Sequence, residues 1–308
     1  MFTSRKLKRR GFLAAAAATG ATMAATQAGL AQSEPGTATP ASQDGATSGY
    51  APVNGLQMYY EIHGEGEPLV LIHGAYGTID MWGPILSTLA ESHQVIAVEM
   101  QGHGHTADIN RPIRYETMAD DVDALMEHLA IAQADIVGFS MGSGVALQLA
   151  LRHPERVRKL VPISVSYAHE GVYPEIWAGM DQITPETFAG SPMEESYRRN
   201  APNPDEWPVL IEKLLDLERQ PYDWPEDEIA AITAPTLFIF GDSDIIKLDH
   251  AVRLFTLLVG GVPGDVVGLP KSQLAIIPGT THAGMGDRAA YWLPMVVTFL
   301  ASPMPEGS

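Results

Sequence analysis

Asp135-Ile136-Val137-Gly138-Phe139-Ser140-Met141-Gly142 decides the fold. Its first half is a short, mostly apolar run, the pattern of a strand covered on both faces. Its end opens a helical stripe, continued by Val145 and Leu149. Between strand and helix stands Gly-x-Ser-x-Gly. A serine on so sharp a turn is lifted above the edge of a sheet, and glycines two before and two after leave room for the neighbouring strand and helix. The turn also puts Ser140 at a helix N-terminus, where free N–H groups and the dipole favour developing negative charge. The segment therefore predicts a parallel α/β architecture and a nucleophile together.

Working outward, further apolar runs repeat the strand pattern at residues 69–72, 95–98, 160–165, 236–240 and 274–277. Helical periods lie between them. Met118, Val122, Leu125, Met126 and Leu129 fall at i, i+4, i+7, i+8 and i+11, and a last helix is predicted over residues 287–300. Strands alternating with helices mean a mostly parallel sheet with helices on both faces. From about 166 to 234 the alternation stops. Prolines at 174, 185, 192, 202, 204 and 208 cut this stretch into short pieces rich in aromatic and Met residues. It reads as a helical excursion between two strands. Its aromatic residues either pack it onto the body or wall a pocket. Trp177, Tyr197 and Trp207, with Tyr76 from the body, are the candidates for the wall, and such a wall predicts an uncharged pocket.

A serine hydroxyl needs a base, and the base needs an acid to orient it. His282 stands in Pro278-Gly279-Thr280-Thr281-His282-Ala283-Gly284, a loop after the last apolar run. Phe240-Gly241-Asp242-Ser243-Asp244 offers two acids ahead of it. Asp242 directly follows the strand and is placed to bond the turn's own backbone. Asp244 lies further out along the rim. Asp249 is a third carboxylate and reads as a helix cap before residues 251–258. The tetrahedral intermediate needs N–H donors for its oxyanion. Met141, directly after Ser140, supplies one. The segment His73-Gly74-Ala75-Tyr76-Gly77 supplies the other, with Ala75 ahead of Tyr76.

With these residues in place, the sequence resembles the α/β-hydrolase superfamily, in the branch with a helical cap and Gly-x-Ser-Met-Gly at the nucleophile. The resemblance spans about residues 57–300. It rests on His73-Gly74, Gly102-His103-Gly104, the turn at 138–142, residues 241–244 and His282. It implies an α/β-hydrolase fold, with an eight-stranded sheet, one antiparallel strand near its start and a cap over the site. The family's Gly-x-x-Asp spacing makes Asp244 the acid of a Ser140, Asp244, His282 triad. No cofactor is implied. The activity implied is that of a serine esterase on uncharged carboxylic esters. Lactones, acylated homoserine lactones included, suit the same chemistry. Perhydrolase or halogenating activity with peroxide, and carbon–carbon bond hydrolysis, use the same triad. A non-enzymatic ligand receptor on this fold would not need a complete triad. Relatives often carry Asp-x-Arg before Gly-His-Gly and Arg-Ser after it; here the residues are Glu99-Met100-Gln101 and His105-Thr106.

Composition narrows the alternatives. The 308 residues carry 37 Asp+Glu against 19 Lys+Arg, a formal charge of −18, and no Cys. That charge argues against nucleic-acid partners and polyanionic substrates. The lack of Cys removes disulfides, thiol catalysis and Cys-ligated zinc. Gly102-His103-Gly104-His105-Thr106-Ala107 fits Gly-x-Gly-x-x-Ala, but Asp108-Ile109-Asn110-Arg111-Pro112 follows, a loop where a nucleotide site needs a helix. His103 and His105 lack a third ligand at helical spacing, so no metal is assigned. At the N-terminus, Arg5, Lys6, Lys8, Arg9 and Arg10 precede Gly11-Phe12-Leu13 and an Ala-rich stretch ending in Gly29-Leu30-Ala31. Residues 1–31 read as a twin-arginine-type signal peptide, 32–48 as a flexible linker and 49–301 as the domain with its cap. A periplasmic or secreted location is expected, without membrane contact after signal removal.

Overall fold

The apolar runs become the centre of one eight-stranded sheet in the computed structural model, which describes residues 46–304. The predicted signal peptide and most of the linker lie outside the described residues. The strands are β1 (Thr47–Val53), β2 (Leu56–His63), β3 (Glu67–Ile72), β4 (His93–Val98), β5 (Ala134–Phe139), β6 (Val157–Ile163), β7 (Thr236–Ser243) and β8 (Ser272–Thr281). Their order is β1-β2-β4-β3-β5-β6-β7-β8. β2 runs antiparallel to β1 and β4, and the other pairs are parallel. β1 begins at Thr47, inside the predicted linker. The chain there is polar because β1 is an edge strand, and an edge strand need not be apolar on both faces. β8, at the other edge, extends beyond its apolar run for the same reason and reaches Thr281, so much of the predicted His282 loop is strand.

Helices complete the layers: α1 (Pro84–Ala90), α2 (Tyr115–His128), α3 (Met141–Arg152), α4 (Pro174–Met180), α5 (Pro192–Asn200), α6 (Trp207–Arg219), α7 (Glu226–Ala230), α8 (Leu248–Leu257), α9 (Gly264–Val267) and α10 (Ala289–Ala301). Strand alternation divides the core in two. On β3, Val70 and Ile72 pack with Val122, Leu125 and Val145 of α2 and α3 on one face. Leu69 and Leu71 pack with Leu89 of α1 and Trp292, Val296 and Phe299 of α10 on the other. The excursion between β6 and β7 contains α4 to α7. Its prolines open helices as well as separating them: Pro174 and Pro192 begin α4 and α5, where a missing N–H costs nothing. Among the described residues, no helix is long and apolar enough to cross a membrane.

Candidate active site

β5 ends at Phe139 and α3 begins at Met141, so Ser140 alone makes the turn. Its backbone sits at φ 53° and ψ −117°, a strained conformation for a residue with a side chain. Close packing holds it there. A Cβ on Gly138 would meet the carbonyl oxygen of Gly142 at 2.3 Å, and one on Gly142 would meet that of Ile72 at 2.3 Å. Ser140 N–H donates to Ile163 O at 2.9 Å. Ser143, which the sequence did not mark, ties the turn to β6. Its Oγ lies 2.6 Å from Gly138 O and 2.8 Å from Ile163 O, and it accepts Ile163 N–H at 2.9 Å.

The ends of β7 and β8 bring the base and acid to the same rim. His282 Nε2 lies 2.9 Å from Ser140 Oγ, and His282 Nδ1 lies 2.8 Å from Asp244 Oδ1. Asp244 is only 6% exposed. Its Oδ2 accepts from Ser164 Oγ at 2.6 Å and from Gly241 N at 3.3 Å, and its Oδ1 accepts from Ile246 N at 3.4 Å. Burial pushes the carboxyl up, but the His282 imidazole and the donors from His282, Ser164 and Gly241 outweigh it and hold it below the ordinary range. An ionised Asp244 can only accept. Nδ1 therefore carries the imidazole proton, and the Nε2 lone pair faces the Ser140 hydroxyl.

The other two carboxylates stand apart from this relay. Asp242 sits at a register shift between β7 and β8, where it accepts Gly279 N–H at 2.9 Å and Thr280 N–H at 3.1 Å. These two partners belong to the neighbouring strand; from its own turn Asp242 accepts the Ser243 hydroxyl at 3.2 Å. Asp249 lies in the first turn of α8, whose N-cap is Lys247, and accepts His250 N–H. It is not the cap itself.

The predicted oxyanion donors lie beside Ser140. Met141 is the first residue of α3, so its N–H has no partner within the helix. Gly77 N–H donates to Gly74 O at 3.2 Å and closes a turn; among the described residues the N–H groups of Ala75 and Tyr76 inside it have no acceptor. His73 braces this turn. Its Nδ1–H donates to Gly74 O at 2.8 Å, and its Nε2 accepts Met100 N–H at 3.1 Å. His103 packs on His73 with ring centres 4.8 Å apart and bonds Gln101 O through Nδ1. Burial lowers both imidazole pKa values and keeps the rings neutral. Glu99, at the departure from the usual Asp-x-Arg, accepts His105 N–H at 2.6 Å and Ile79 N–H at 3.3 Å.

Residues 67–190 match the family described as alpha/beta hydrolase fold. The chain is 29% identical to the pimeloyl-[acyl-carrier protein] methyl ester esterase of Yersinia enterocolitica over 275 residues, 79% of this chain and 97% of that relative. It is 36% identical to the 2-hydroxymuconate semialdehyde hydrolase of a Pseudomonas species over 137 residues, 42% of this chain and 46% of that relative. The enol-lactonase of Burkholderia xenovorans matches in fold with a TM-score of 0.61 at 22% identity, covering 82% of this chain and 100% of that one. The chain belongs to the α/β-hydrolase superfamily.

In this α/β-hydrolase the excursion covers the rim and encloses a cavity of about 420 Å³ beside Ser140 and His282. Two of the four predicted wall residues line it. Tyr76 does so with its ring 4.9 Å from that of Phe188. Trp177 does so while stacking on His169 at 4.2 Å and donating Nε1–H to His169 O at 3.0 Å. Tyr197 and Trp207 do not line the cavity. They are buried one row behind it, with Trp207 edge-on to Phe188 at 5.9 Å and 5.2 Å from Tyr197. Aromatic content alone cannot separate a wall from the layer that supports it.

The expectation of an uncharged pocket also fails. Glu218, in the last turn of α6, lines the cavity with Ser140 and His282, and no Lys or Arg does. Desolvation pushes its carboxyl up to about 7, opposed only by the charge of His282. A signal was present in the sequence. Ile211, Leu214, Leu215 and Glu218 stand at i, i+3, i+4 and i+7, so an acid occupies the fourth place of an apolar helical stripe.

Proposed function

We propose that this α/β-hydrolase is a serine hydrolase that cleaves carboxylic esters through an acyl-enzyme. The observation that carries this reading is the unbroken contact from Ser140 Oγ through His282 to Asp244, at 2.9 and 2.8 Å, opening on a largely apolar cavity. Ser140 Oγ attacks the ester carbonyl carbon while its proton passes to His282 Nε2. The carbonyl electrons move onto oxygen, where the N–H groups of Met141 and Ala75 receive the charge. The intermediate expels an alkoxide, which takes the proton from Nε2 and leaves as the alcohol. Water then gives a proton to Nε2 and attacks the acyl carbon, and collapse returns the proton to Ser140 and frees the acid. Asp244 remains ionised and stabilises the imidazolium at both steps. The scheme draws on no cofactor or metal.

Similarity to a methyl ester esterase along 97% of that relative's length supports an ester as substrate. Lactones, carbon–carbon bonds and peroxide acting in place of water are tested in the same panel. With the Ser140→Ala chain as control, a serine-directed phosphonate and a panel of esters, lactones, peroxide reactions and carbon–carbon substrates decide between them. Ser140→Ala should lose the label and lose ester turnover by several orders of magnitude. Label retained elsewhere in the chain, or a panel in which esters are not turned over, refutes the reading. We also propose export, on the basic and apolar pattern of residues 1–31. N-terminal sequencing of the exported chain should then begin near Gln32, and an intact Met1 in the cytoplasmic fraction would contradict it.

A further inference from the structure

An ionisable side chain in an apolar cavity is costly unless something pairs with it. Glu218 lines the cavity yet makes no hydrogen bond or ion pair among the described residues. Its neighbour Arg219 lies 3.6 Å from Asp181 at the surface, although its charge still reaches Tyr76. His282 and the hydroxyl groups of Tyr76, Tyr115 and Tyr222 lie within reach of the Glu218 charge, and all four residues line the same cavity. Phe188 and Trp177 extend the same aromatic wall. An aromatic wall around one carboxylate is the environment that attracts an organic cation. The ring faces are negative and the carboxylate supplies the counter-charge, while methyl groups on nitrogen fill apolar space. The net charge of −18 favours cations at longer range as well.

We propose that Glu218 is a specificity-determining residue and that the enzyme prefers esters carrying a cationic nitrogen, which Glu218 and the surrounding Tyr rings receive. The preference deepens the esterase reading and rests on it. His282 takes the proton of Ser140, and Glu218 binds the substrate's cation without entering the bond changes.

Paired probes of equal shape test it. Butyrylcholine is set against 3,3-dimethylbutyl butyrate, and methyl 4-(trimethylammonio)butyrate against methyl 5,5-dimethylhexanoate. The pairs put the cation on the alcohol side or the acyl side. Binding is measured by calorimetry on the Ser140→Ala chain, where no turnover interferes, and turnover is measured on the native enzyme. In at least one pair the cation should bind about tenfold tighter or more at pH 8. That preference should shrink at pH 5.5, below the value of about 7 to which burial raises the Glu218 carboxyl. It should also shrink to near unity in the Ser140→Ala, Glu218→Gln double variant. Equal binding of both members in both pairs overturns the proposal, as does a preference that survives Glu218→Gln. If the double variant does not fold, a preference unchanged between pH 8 and pH 5.5 overturns it. Failure of the native enzyme to turn over any of the four esters counts against the esterase reading instead, because the binding measurement is independent of it.

Discussion

Replacing Asp244 by Asn keeps the shape of the side chain and removes its charge. A carboxylate has two accepting ends, whereas an amide has one accepting end and one donating end. Both ends of Asp244 face donors: Oδ1 faces His282 Nδ1 and Ile246 N, and Oδ2 faces Ser164 Oγ and Gly241 N. An amide nitrogen in the place of Oδ1 would drive the imidazole proton to Nε2, where it blocks transfer from Ser140. An amide nitrogen in the place of Oδ2 would face the Gly241 N–H, which cannot rotate away as the Ser164 hydroxyl can. In either orientation the imidazolium formed during attack loses its counter-charge. For a Ser-His-Asp relay that loss lowers turnover about ten-thousand-fold, or about 5 kcal/mol on the barrier. Asp242→Asn disturbs two backbone N–H groups of β8 and leaves the relay intact. It should lower the denaturant midpoint slightly and leave kcat nearly unchanged. Ester kcat and denaturant midpoints of both variants provide the assay. A dead Asp242→Asn beside an Asp244→Asn that retains kcat within about tenfold would show the acid to be misassigned.

Ser164→Ala removes the 2.6 Å hydrogen bond to Asp244 and should lower kcat/KM by about tenfold or more, as for a hydrogen bond to a charged group. Ser164→Gly loses the same bond but relieves a backbone at φ 59°, so its midpoint should exceed that of Ala; the reverse order rules out strain at this position. Trp177→Ala should change the acyl-length profile of ester turnover. Trp207→Ala should instead cost about 3–5 kcal/mol of stability and leave that profile unchanged, and a swap of these outcomes reverses their placement. Glu218→Gln should stabilise the fold at pH 8 more than at pH 5. The reason is that the folded-state pKa is raised from 4.5 to about 7. Ionisation is therefore disfavoured in the native state, and stability is lost as pH rises through that window. Midpoints that move equally at both pH values would show that Glu218 is not held in this way.

What the sequence revealed follows from what each feature demands of neighbouring residues. The nucleophile turn needs particular residues at consecutive positions, since Gly138, Ser140 and Gly142 act through local backbone geometry. Central strands β3 and β5 are covered on both faces and read as apolar runs. Edge strands β1 and β8 need apolar residues on fewer positions, so their limits were blurred. Asp244 emerged from a family spacing, whereas Ser164 and Ser143 carried no such mark. Their roles arise only when β5, β6 and β7 lie side by side. The cap was legible as helical but not in its facing. Tyr197 and Trp207 proved to be supporting packing, and Glu218 could have been found as the acid that interrupts the stripe of Ile211, Leu214 and Leu215.

The distribution of backbone strain explains how the rim can hold these groups ready. Six non-glycine residues among those described have positive φ, and three of them, Tyr76, Ser140 and Ser164, line the cavity. They follow β3, β5 and β6, which are neighbours in the sheet. Each such conformation is unfavourable by about 1–3 kcal/mol and persists only where its surroundings leave no alternative. Here two of the tips are bonded to the next strand: Ser140 N–H donates to Ile163 O, and Ser164 N–H donates to Ile239 O at 2.8 Å; the Tyr76 turn is instead closed on itself by Gly77 N–H on Gly74 O and braced by His73. Relaxing any of the three would break one of these bonds. The nucleophile, the donor turn and the anchor of Asp244 are therefore fixed by the buried sheet before substrate arrives, and preorganised dipoles need little rearrangement during reaction. Trp177 and Glu218 stand on helices of the cap instead. Residues that touch the substrate away from its carbonyl can change there without disturbing the strand tips. Bond making thus resides on the strand tips, whereas part of the cavity wall, Trp177 and Glu218 among it, stands on helices whose substitution leaves those tips in place.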